Sequence, residues 1–397
     1  MTVESISVAS SEAVHPNARI SFTGSGSEYF RIWIVNLFLT YLTLGIYSAW
    51  AKVRREKYFH QNTVIAGHSL DYHGNPVAIL KGRVVGFILL ALYTGSGSVP
   101  AVSVIALGLI VLVMPFLMQR SVRFRFANSS YRGIRFGFTG TAKEAYRALL
   151  PFMLLPLAYA AIVVAIFLNP EAVAELWKSM PKGYAFAIGV LGLLVALGSI
   201  VFYALLHATW RRFSINHAHF GMVKGNTTIT GKQYVWIYLS SLLILILIFG
   251  AIIGAIAGFG FLAIVLSPAM IALLPILLVS FYLIIFAMQG VLVARLQNYC
   301  WDKATDVRSP NNHQLAWFNS NLSITSYGVL QFKNWALTIV TLGLYRPYAV
   351  VNSAKAKLQA ISLSNARFID YVIGAADENP SAIGEEALGA FDLDFSI

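Results

Sequence analysis

The sequence predicts an all-α membrane protein that crosses the bilayer several times. Of its 397 residues, 57% are hydrophobic and 12% are charged, whereas about 25% are charged in an average soluble domain. The hydrophobic residues are gathered into long runs, which is the arrangement that spanning helices require. Lys and Arg are concentrated in the polar segments between these runs. Together these observations exclude a water-soluble fold.

Six apolar runs are candidates for spanning helices, which need about 20 residues each. They occupy residues 83–98 and 101–119, 147–169 and 184–207, and 234–258 and 270–294. Short connectors at residues 93–100, 169–183 and 258–268 join them into three antiparallel helix hairpins. We therefore expect six spanning helices arranged as three hairpins.

The charge pattern places the polar segments in the cytoplasm. Residues 120–147 are strongly basic and contain a single acid, Glu144. The connectors at the opposite ends of the helices contain only two basic residues, Lys178 and Lys182. Basic loops of multipass proteins stay on the cytoplasmic side. The net charge of +12 then indicates contact with anionic phospholipid headgroups, and without an RNA or DNA motif it does not indicate nucleic acid. The candidate headgroup-facing residues are Arg120, Arg123, Arg125, Arg211 and Arg212.

Two further apolar stretches, residues 30–50 and 327–350, are interpreted as re-entrant or interfacial helical elements. Asn36-Leu-Phe-Leu-Thr-Tyr-Leu-Thr-Leu-Gly-Ile-Tyr47 aligns without gaps with Asn334-Trp-Ala-Leu-Thr-Ile-Val-Thr-Leu-Gly-Leu-Tyr345, and seven of the twelve positions are identical. In the alternative with eight spans, one copy would run outward and the other inward. A helix that enters the bilayer, breaks at Thr-Leu-Gly and returns avoids this conflict.

The polar segments also contain short stretches in which Thr, Gly and aromatic residues alternate. Examples are residues 20–26, 135–140 and 227–231. Alternation over so few residues predicts short β-like segments on the cytoplasmic surface.

Several motifs of the sequence occur together in a known family. They comprise Phe22-Thr-Gly-Ser-Gly-Ser-Glu-Tyr-Phe30, Thr43-Leu-Gly-Ile-Tyr47, Trp50-Ala-Lys-Val-Arg54, Asn62-Thr63 and Tyr72-His-Gly74, with Gly384-Glu-Glu386 and Phe391-Asp-Leu-Asp-Phe395 near the C-terminus. With these motifs the chain resembles the YjgN-like family of bacterial inner-membrane proteins. The resemblance covers the whole chain. It implies a multipass protein of the bacterial cytoplasmic membrane, and it implies no known activity, because the family is described by a domain of unknown function.

The two repeated segments supply the candidate binding residues. These are Asn36, Thr40, Thr43, Gly45 and Tyr47, with their counterparts Asn334, Thr338, Thr341, Gly343 and Tyr345. A broken helix exposes backbone groups that can bind ions or lipid headgroups. The alternative is a structural role, since Thr and Asn side chains also satisfy free backbone groups at helix breaks.

No catalytic, cofactor or metal site is predicted. The six apolar runs carry no charged residue in their interiors, where an ion-coupled transporter usually has one. His217 and His219 follow His207, but no Cys or carboxylate lies in that segment, and zinc needs three or four converging ligands. Nucleophile, paired-carboxylate and phosphate-binding glycine motifs are not recognised, so we predict that the protein is not an enzyme.

The chain is expected to form one membrane domain, residues 1–372, followed by an acidic tail, residues 373–397. Two functions stay open. One is a transporter or channel for a small solute or lipid, which a groove open to lipid or water would favour. The other is a scaffold or envelope protein whose basic cytoplasmic face binds anionic lipid or an acidic partner.

Overall fold

Twelve helices are present in the residues that the structure, a computed structural model, describes: 17–95, 100–179, 184–258, 268–302 and 305–378. They are α1 (Gly26–Leu42), α2 (Ser48–Gln61), α3 (Pro76–Gly95), α4 (Pro100–Ala127), α5 (Ala142–Leu168), α6 (Pro170–Ser179), α7 (Tyr184–Asn216), α8 (Gly231–Gly258), α9 (Pro268–Trp301), α10 (Ile324–Val340), α11 (Arg346–Gln359) and α12 (Arg367–Glu378). Each of the six apolar runs overlaps a helix. Much of the predicted connectors, and the predicted tail after residue 378, lie outside the described residues.

The polar segments between the helix pairs form strands of two to seven residues. They are β1 (Asn17–Arg19), β2 (Ser21–Phe22), β3 (Thr63–Ile65), β4 (His68–Tyr72), β5 (Ser129–Tyr131), β6 (Ile134–Phe138), β7 (Ala218–Phe220), β8 (Val223–Thr227), β9 (Thr305–Arg308), β10 (Gln314–Ser320) and β11 (Ile361–Ser364). All of them belong to one antiparallel sheet in the order β1-β11-β10-β9-β8-β7-β6-β5-β4-β3-β2.

This sheet closes into a ring, because its two outer strands are neighbours along the chain. β1 pairs with β11 and β2 pairs with β3, while Ile20 alone separates β1 from β2. The Ile20 N–H donates a hydrogen bond to the Ile361 carbonyl at 3.1 Å. Pairing on both sides of Ile20 leaves no long unpaired edge, which protects a sheet from pairing with other chains. We call the β1–β11 pairing the seam.

Helices and strands are arranged in five repeating units. Each unit contains a strand, a pair of long helices and a second strand, and the two strands of a unit pair with each other. The helix pairs are α1–α2, α3–α4, α5–α7, α8–α9 and α10–α11. Neighbouring pairs contact each other in chain order, and α11 contacts α1. The helices therefore form a circle that closes at the seam.

In three units an aromatic residue at the end of the first strand packs against a glycine two residues later. The pairs are Phe22 and Gly24, Tyr72 and Gly74, and Phe138 and Gly140. A Cβ on any of these glycines would lie between 2.4 and 2.9 Å from the aromatic side chain. In the other two units, Thr227 precedes Ile229 and Ser320 precedes Leu322. In these two units the small residue comes first and the large one two positions later, the reverse of the other three. Each turn after a first strand therefore contains one large side chain.

We expect the Gly74→Ala variant to be less stable than the wild type by about 1 to 3 kcal/mol, because overpacking forces a buried ring to shift. The ring is that of Tyr72, which is 2% exposed. Thermal unfolding in detergent measures the loss. Gly86→Ala in α3 is the control, since a Cβ there meets no atom within 4 Å and alanine favours a helix. Equal midpoints for both variants would contradict the packing argument.

Helix α12 fills the inside of the ring. Ile369 and Val372 on its apolar face are 5% and 1% exposed. They belong to a single buried cluster with hydrophobic residues from every strand except β2. On the outer side of α12, the Asp370 carboxylate accepts a hydrogen bond from the Arg132 guanidinium at 2.8 Å. Because α12 and strands of all five units share this cluster, the cluster links the units as a common core. Helix α12 also runs across the domain boundary expected at residue 372.

The prediction of an all-α fold with six spanning helices is wrong. The alternating segments do form strands, but the strands of different units pair with one another, which gives the eleven-stranded sheet. Local alternation indicates a strand, but it does not indicate the partner strand, which lies as far as 347 residues away, as for Asn17 and Ser364. The fold is therefore a circle of helix pairs built on a closed sheet.

The count of spans also needs correction. Among the described residues, four segments are long and apolar enough to cross a membrane: Ile105–Ala127, Phe186–Asn216, Gly231–Ile252 and Val279–Trp301. The predicted spans at residues 83–98 in α3 and 147–169 in α5 are not among them. In α3, Lys81 and Arg83 lie within the helix and leave only residues 84–95 as an uninterrupted apolar stretch, fewer than the roughly 20 that a span requires. The eight-span alternative also fails, because residues 30–50 and 327–350 are not continuous helices: α1 and α10 have 17 residues each and end at Leu42 and Val340, and neither is among the four segments.

Candidate functional site

The turn between α1 and α2 has the same geometry as the turn between α10 and α11. Thr43 Oγ1 donates to the Leu39 carbonyl at 2.8 Å and accepts from the Tyr47 N–H at 2.9 Å. In the second turn, Thr341 Oγ1 donates to the Leu337 carbonyl at 2.7 Å and accepts from the Tyr345 N–H at 2.9 Å. The threonine hydroxyl thus satisfies one backbone group on each side of the break.

Left-handed backbone makes the break in both turns. Leu44 and Gly45 have φ values of +49° and +92°, and Leu342 and Gly343 have +49° and +94°. Glycine adopts this conformation without strain, whereas leucine there costs about 1 kcal/mol. Both leucines are 94% exposed and lie at the tips of the turns. Equivalent tips of the two turns therefore each carry a strained and exposed leucine.

A cavity of about 600 Å³ opens beside the first helix pair, and we call it the larger cavity. Its wall is formed by α1, α2 and the start of α11, with contributions from β4, α3 and α4. The polar and charged lining residues are Tyr29, Asn36, Thr40, Ser48, Lys52, Arg55, Glu56, Tyr72, Arg83, Arg125 and Arg346. Five of these are cations and one is an acid, so the cavity is strongly basic.

A second cavity of about 300 Å³, the smaller cavity, lies beside α10 and α11. Its lining residues from these helices are Gln331, Asn334, Trp335, Thr338, Arg346, Ala349, Val350, Ser353, Ala354 and Lys357. Nine of these ten positions have a counterpart in the wall of the larger cavity, each 298 residues earlier in the chain, as Asn36 is to Asn334. The two helix pairs therefore form their cavities from the same positions.

The two cavities adjoin each other at the seam. Arg55, Glu56, Arg346 and Val350 line both of them. Among the described residues, no carboxylate lies at ion-pair distance from the guanidinium of Arg55, Arg125 or Arg346. Arg55 and Arg346, which form no ion pair within the described ranges, outnumber the single acid Glu56 at the shared wall, so the wall carries net positive charge and attracts anions into both cavities.

The charged groups differ between equivalent positions. Arg55 of the first pair corresponds to Ser353 of the second, and Phe59 corresponds to Lys357. Burial lowers the pKa of the Lys357 ammonium, and the nearby Arg55 charge lowers it further. A bound anion would favour the charged ammonium and raise that pKa again.

The predicted binding residues divide between the cavities and the turns. Asn36, Thr40, Asn334 and Thr338 line the cavities, whereas Thr43, Gly45, Tyr47, Thr341, Gly343 and Tyr345 form the two breaks. The lining cations Arg55, Arg83, Arg346 and Lys357 were not among the candidates. The signal that could have found them is the spacing of 298 residues, extended beyond the twelve aligned positions.

The predicted headgroup-facing arginines do not form one group. Arg125 lines the larger cavity, and the Arg120 guanidinium lies 5.3 Å from the centre of the Phe116 ring. Arg211 donates to the sulfur of the buried Cys300 at 3.7 Å, between α7 and α9. Arg123 and Arg212 are exposed.

The histidines are placed apart from one another. His207 Nδ1 is 2.9 Å from the Tyr238 hydroxyl, and His217 Nε2 is 3.7 Å from the Glu144 carboxylate. Within the described part of the chain, no three His, Cys, Asp or Glu side chains are grouped as a metal site requires. Hydrogen bonds from the Thr141 N–H and hydroxyl lower the pKa of Glu144, with a smaller contribution from His217.

Comparison with known proteins identifies relatives. The model of a family described as bacterial protein of unknown function (DUF898) matches residues 17–390. The chain is 29% identical over 229 residues to the inner membrane protein YjgN of Salmonella typhimurium, a match that covers 57% of the chain and 55% of that relative. It is 27% identical over 237 residues to the inner membrane protein YjgN of Escherichia coli K12, covering 57% of each. These matches thus span little more than half of each relative. No solved structure matches the chain.

Proposed function

The chain belongs to DUF898, a bacterial family of unknown function, and we propose that it is a transporter or channel for a small anionic solute or an anionic lipid. It is a multipass protein of the bacterial inner membrane, with four candidate spanning segments in its described residues and relatives named as inner membrane proteins. The observation that carries the proposal is the pair of adjoining basic cavities formed from equivalent positions.

The first and last helix pairs are proposed to be copies of one re-entrant unit. The apolar helix α1 enters the bilayer, and α2 returns with Lys52, Arg54, Arg55 and Lys57 at the headgroup level. The exposed tip leucines Leu44 and Leu342 then lie in the hydrocarbon, which offsets their backbone strain. Backbone breaks at membrane depth are tolerated where other helices surround a polar cavity. This placement puts both cavities at the boundary between lipid and cytoplasm.

Charge supports an anion as the transported group. Each Lys or Arg near an anionic membrane surface contributes about 1 kcal/mol of attraction, and five cations line the larger cavity against one acid. Arg55 and Arg346 occupy the wall between the cavities, so an anion that passes from one cavity to the other contacts both. The proposal includes no catalytic step.

The test uses the full chain in liposomes, with two probes: uptake of inorganic phosphate, and movement of fluorescent phosphatidylglycerol between the leaflets. At least one probe is expected to move faster than in protein-free liposomes. Arg55→Gln or Arg346→Gln should slow it about tenfold, since losing about 1.4 kcal/mol of attraction changes an equilibrium constant tenfold. Lys57→Gln and Lys355→Gln are the controls, because these lysines lie on the same helices and line neither cavity.

Failure of both probes to exceed the protein-free rate would contradict the transport proposal.

The second candidate is a scaffold whose basic cytoplasmic face holds anionic lipid, which is favoured by the exposed Arg123, Arg125 and Arg212 at the ends of α4 and α7. In that case the Arg123→Gln/Arg212→Gln variant retains less phosphatidylglycerol during purification, while Arg55→Gln and Arg346→Gln retain the wild-type amount.

A further inference from the structure

One buried hydrogen-bond acceptor in the wall of the smaller cavity lacks a donor. Asn334 is 2% exposed, and within the described part of the chain its Oδ1 has no hydrogen-bond partner. Buried side-chain oxygens are nearly always hydrogen-bonded. An acceptor left without a partner inside a binding cavity therefore points to a donor that a ligand supplies.

The orientation of this amide is fixed by its other contacts. Asn334 Nδ2 donates to the Ala349 carbonyl at 3.3 Å and to Ser353 Oγ at 3.2 Å. A backbone carbonyl can only accept, so the amide cannot be turned to present its oxygen to Ala349. Ser353 Oγ in turn donates to the Ala349 carbonyl at 2.8 Å and accepts from Gln331 Nε2 at 2.9 Å. Oδ1 is thus the atom that faces away from this network.

The first helix pair shows which group is missing in the second. There, the equivalent Asn36 Oδ1 accepts a hydrogen bond from the Arg54 guanidinium at 3.4 Å, and Arg54 also contacts the Tyr47 hydroxyl at 3.2 Å. The counterpart of Arg54 is Asn352, which contacts the Tyr345 hydroxyl at 3.3 Å. Asparagine is too short to reach both partners. The chain therefore supplies a donor to one asparagine and none to the other.

A cation without a counter-ion lies in the same wall. Lys357 lines the smaller cavity, is partly buried, and its ammonium forms no ion pair with a described residue. Arg55 and Arg346 add two more positive charges, against Glu56 alone. The cavity thus presents three cations together with one acceptor that needs a hydroxyl or amine donor.

We propose that the smaller cavity binds a phosphate ester that carries a free hydroxyl group, with the phosphate among Lys357, Arg55 and Arg346 and the hydroxyl donating to Asn334 Oδ1. This chemistry is that of a phosphoglycerol group, either free or as the headgroup of a lipid. Phosphate oxygens are strong acceptors for Lys and Arg. A volume of about 300 Å³ is ample, since a single water molecule needs roughly 10 to 15 Å³.

The inference rests on the proposed anion-binding cavities but is tested by binding, which separates it from transport. The purified full chain in a neutral detergent is titrated calorimetrically with inorganic phosphate, with glycerol 3-phosphate and with glycerol. Glycerol 3-phosphate is expected to bind about tenfold more tightly than phosphate, as a recovered buried hydrogen bond allows. Asn334→Leu should abolish this preference and leave phosphate affinity unchanged, whereas Lys357→Met should weaken both ligands about tenfold.

Stability separates a ligand-binding role from a structural one. Lys357→Met removes a cation whose burial is unfavourable, so the unfolding temperature without ligand should stay the same or rise. Lys355→Met, on the exposed side of α11, is the matched control and should change neither affinity nor stability. Equal affinities for phosphate and glycerol 3-phosphate would overturn the inference while leaving the anion proposal intact.

Binding measurements in nanodiscs distinguish the two sources of the phosphoglycerol group, a lipid headgroup and a free ester. If the lipid headgroup is the ligand, phosphatidylglycerol in a phosphatidylcholine disc should reduce glycerol 3-phosphate binding in the wild type, and it should raise the unfolding temperature of the wild type more than that of Asn334→Leu. If the free ester is the ligand, glycerol 3-phosphate should bind equally in both kinds of disc. Absence of any binding by either source would overturn the inference.

Discussion

The Arg19→Cys/Ser362→Cys variant is expected to form a disulfide across the seam and to be more stable than its reduced form by about 3 to 5 kcal/mol. Arg19 and Ser362 are direct cross-strand partners, and the neighbouring Ile20-to-Ile361 hydrogen bond makes theirs a non-hydrogen-bonded pair. Such pairs have Cα atoms about 4.5 Å apart, which suits a disulfide. The large effect follows from the length of the closed loop, which contains most of the chain.

The measurement compares thermal unfolding in detergent with and without reductant, after electrophoresis has shown the cross-link. Cys300 is the only natural cysteine and is buried, so it should not compete. The control is Arg19→Cys/Ser364→Cys, because Ser364 pairs with Asn17 and not with Arg19. Equal cross-linking of the two variants would show that the register of the seam differs from the one described.

Val372→Asp is expected to destabilise the protein by about 3 to 5 kcal/mol, since it places an unpaired charge in an apolar core. Val372 is 1% exposed and belongs to the buried cluster that α12 shares with strands of every unit. The loss should therefore be cooperative. We expect the unfolding temperature to fall. We also expect the turns of all five units to become accessible to protease in the same transition.

Arg367→Asp is the control for this variant, because it introduces the same side chain on the exposed side of α12. Its unfolding temperature should stay near that of the wild type. If Val372→Asp exposed only residues after 366 to protease, α12 would be an attachment to the ring and not its common core.

The helices were predictable because each apolar run carries its own signal, and so were the breaks at Thr-Leu-Gly. Gly45 and Gly343 do adopt positive φ, and Thr43 and Thr341 satisfy the backbone on each side. The closed sheet was not predictable from the same information. Its strands are so short that their stability comes from partners in other units, as Ala18 depends on Leu363, and a single sequence does not indicate which strands pair.

The cavities were only partly predictable for a related reason. Asn36 and Asn334 were found because they lie in the segment where the two copies still match. Arg55, Arg346 and Lys357 lie where the copies have diverged, so identity no longer marks them. Their grouping depends on the contact between α1 and α11, which belong to the first and last helix pairs of the circle.

Biogenesis must follow the order that the seam imposes. Residues 17–19 are synthesised more than 340 residues before their partners at 362–364. At roughly 5 to 20 residues per second, the N-terminal strand waits between about 20 and 70 seconds for its neighbour. During that interval four units are already inserted while the circle is still open, and an unpaired strand is a hazard for aggregation. A cell that makes this protein therefore needs either rapid elongation or a chaperone that shields the nascent N-terminus until the last unit arrives.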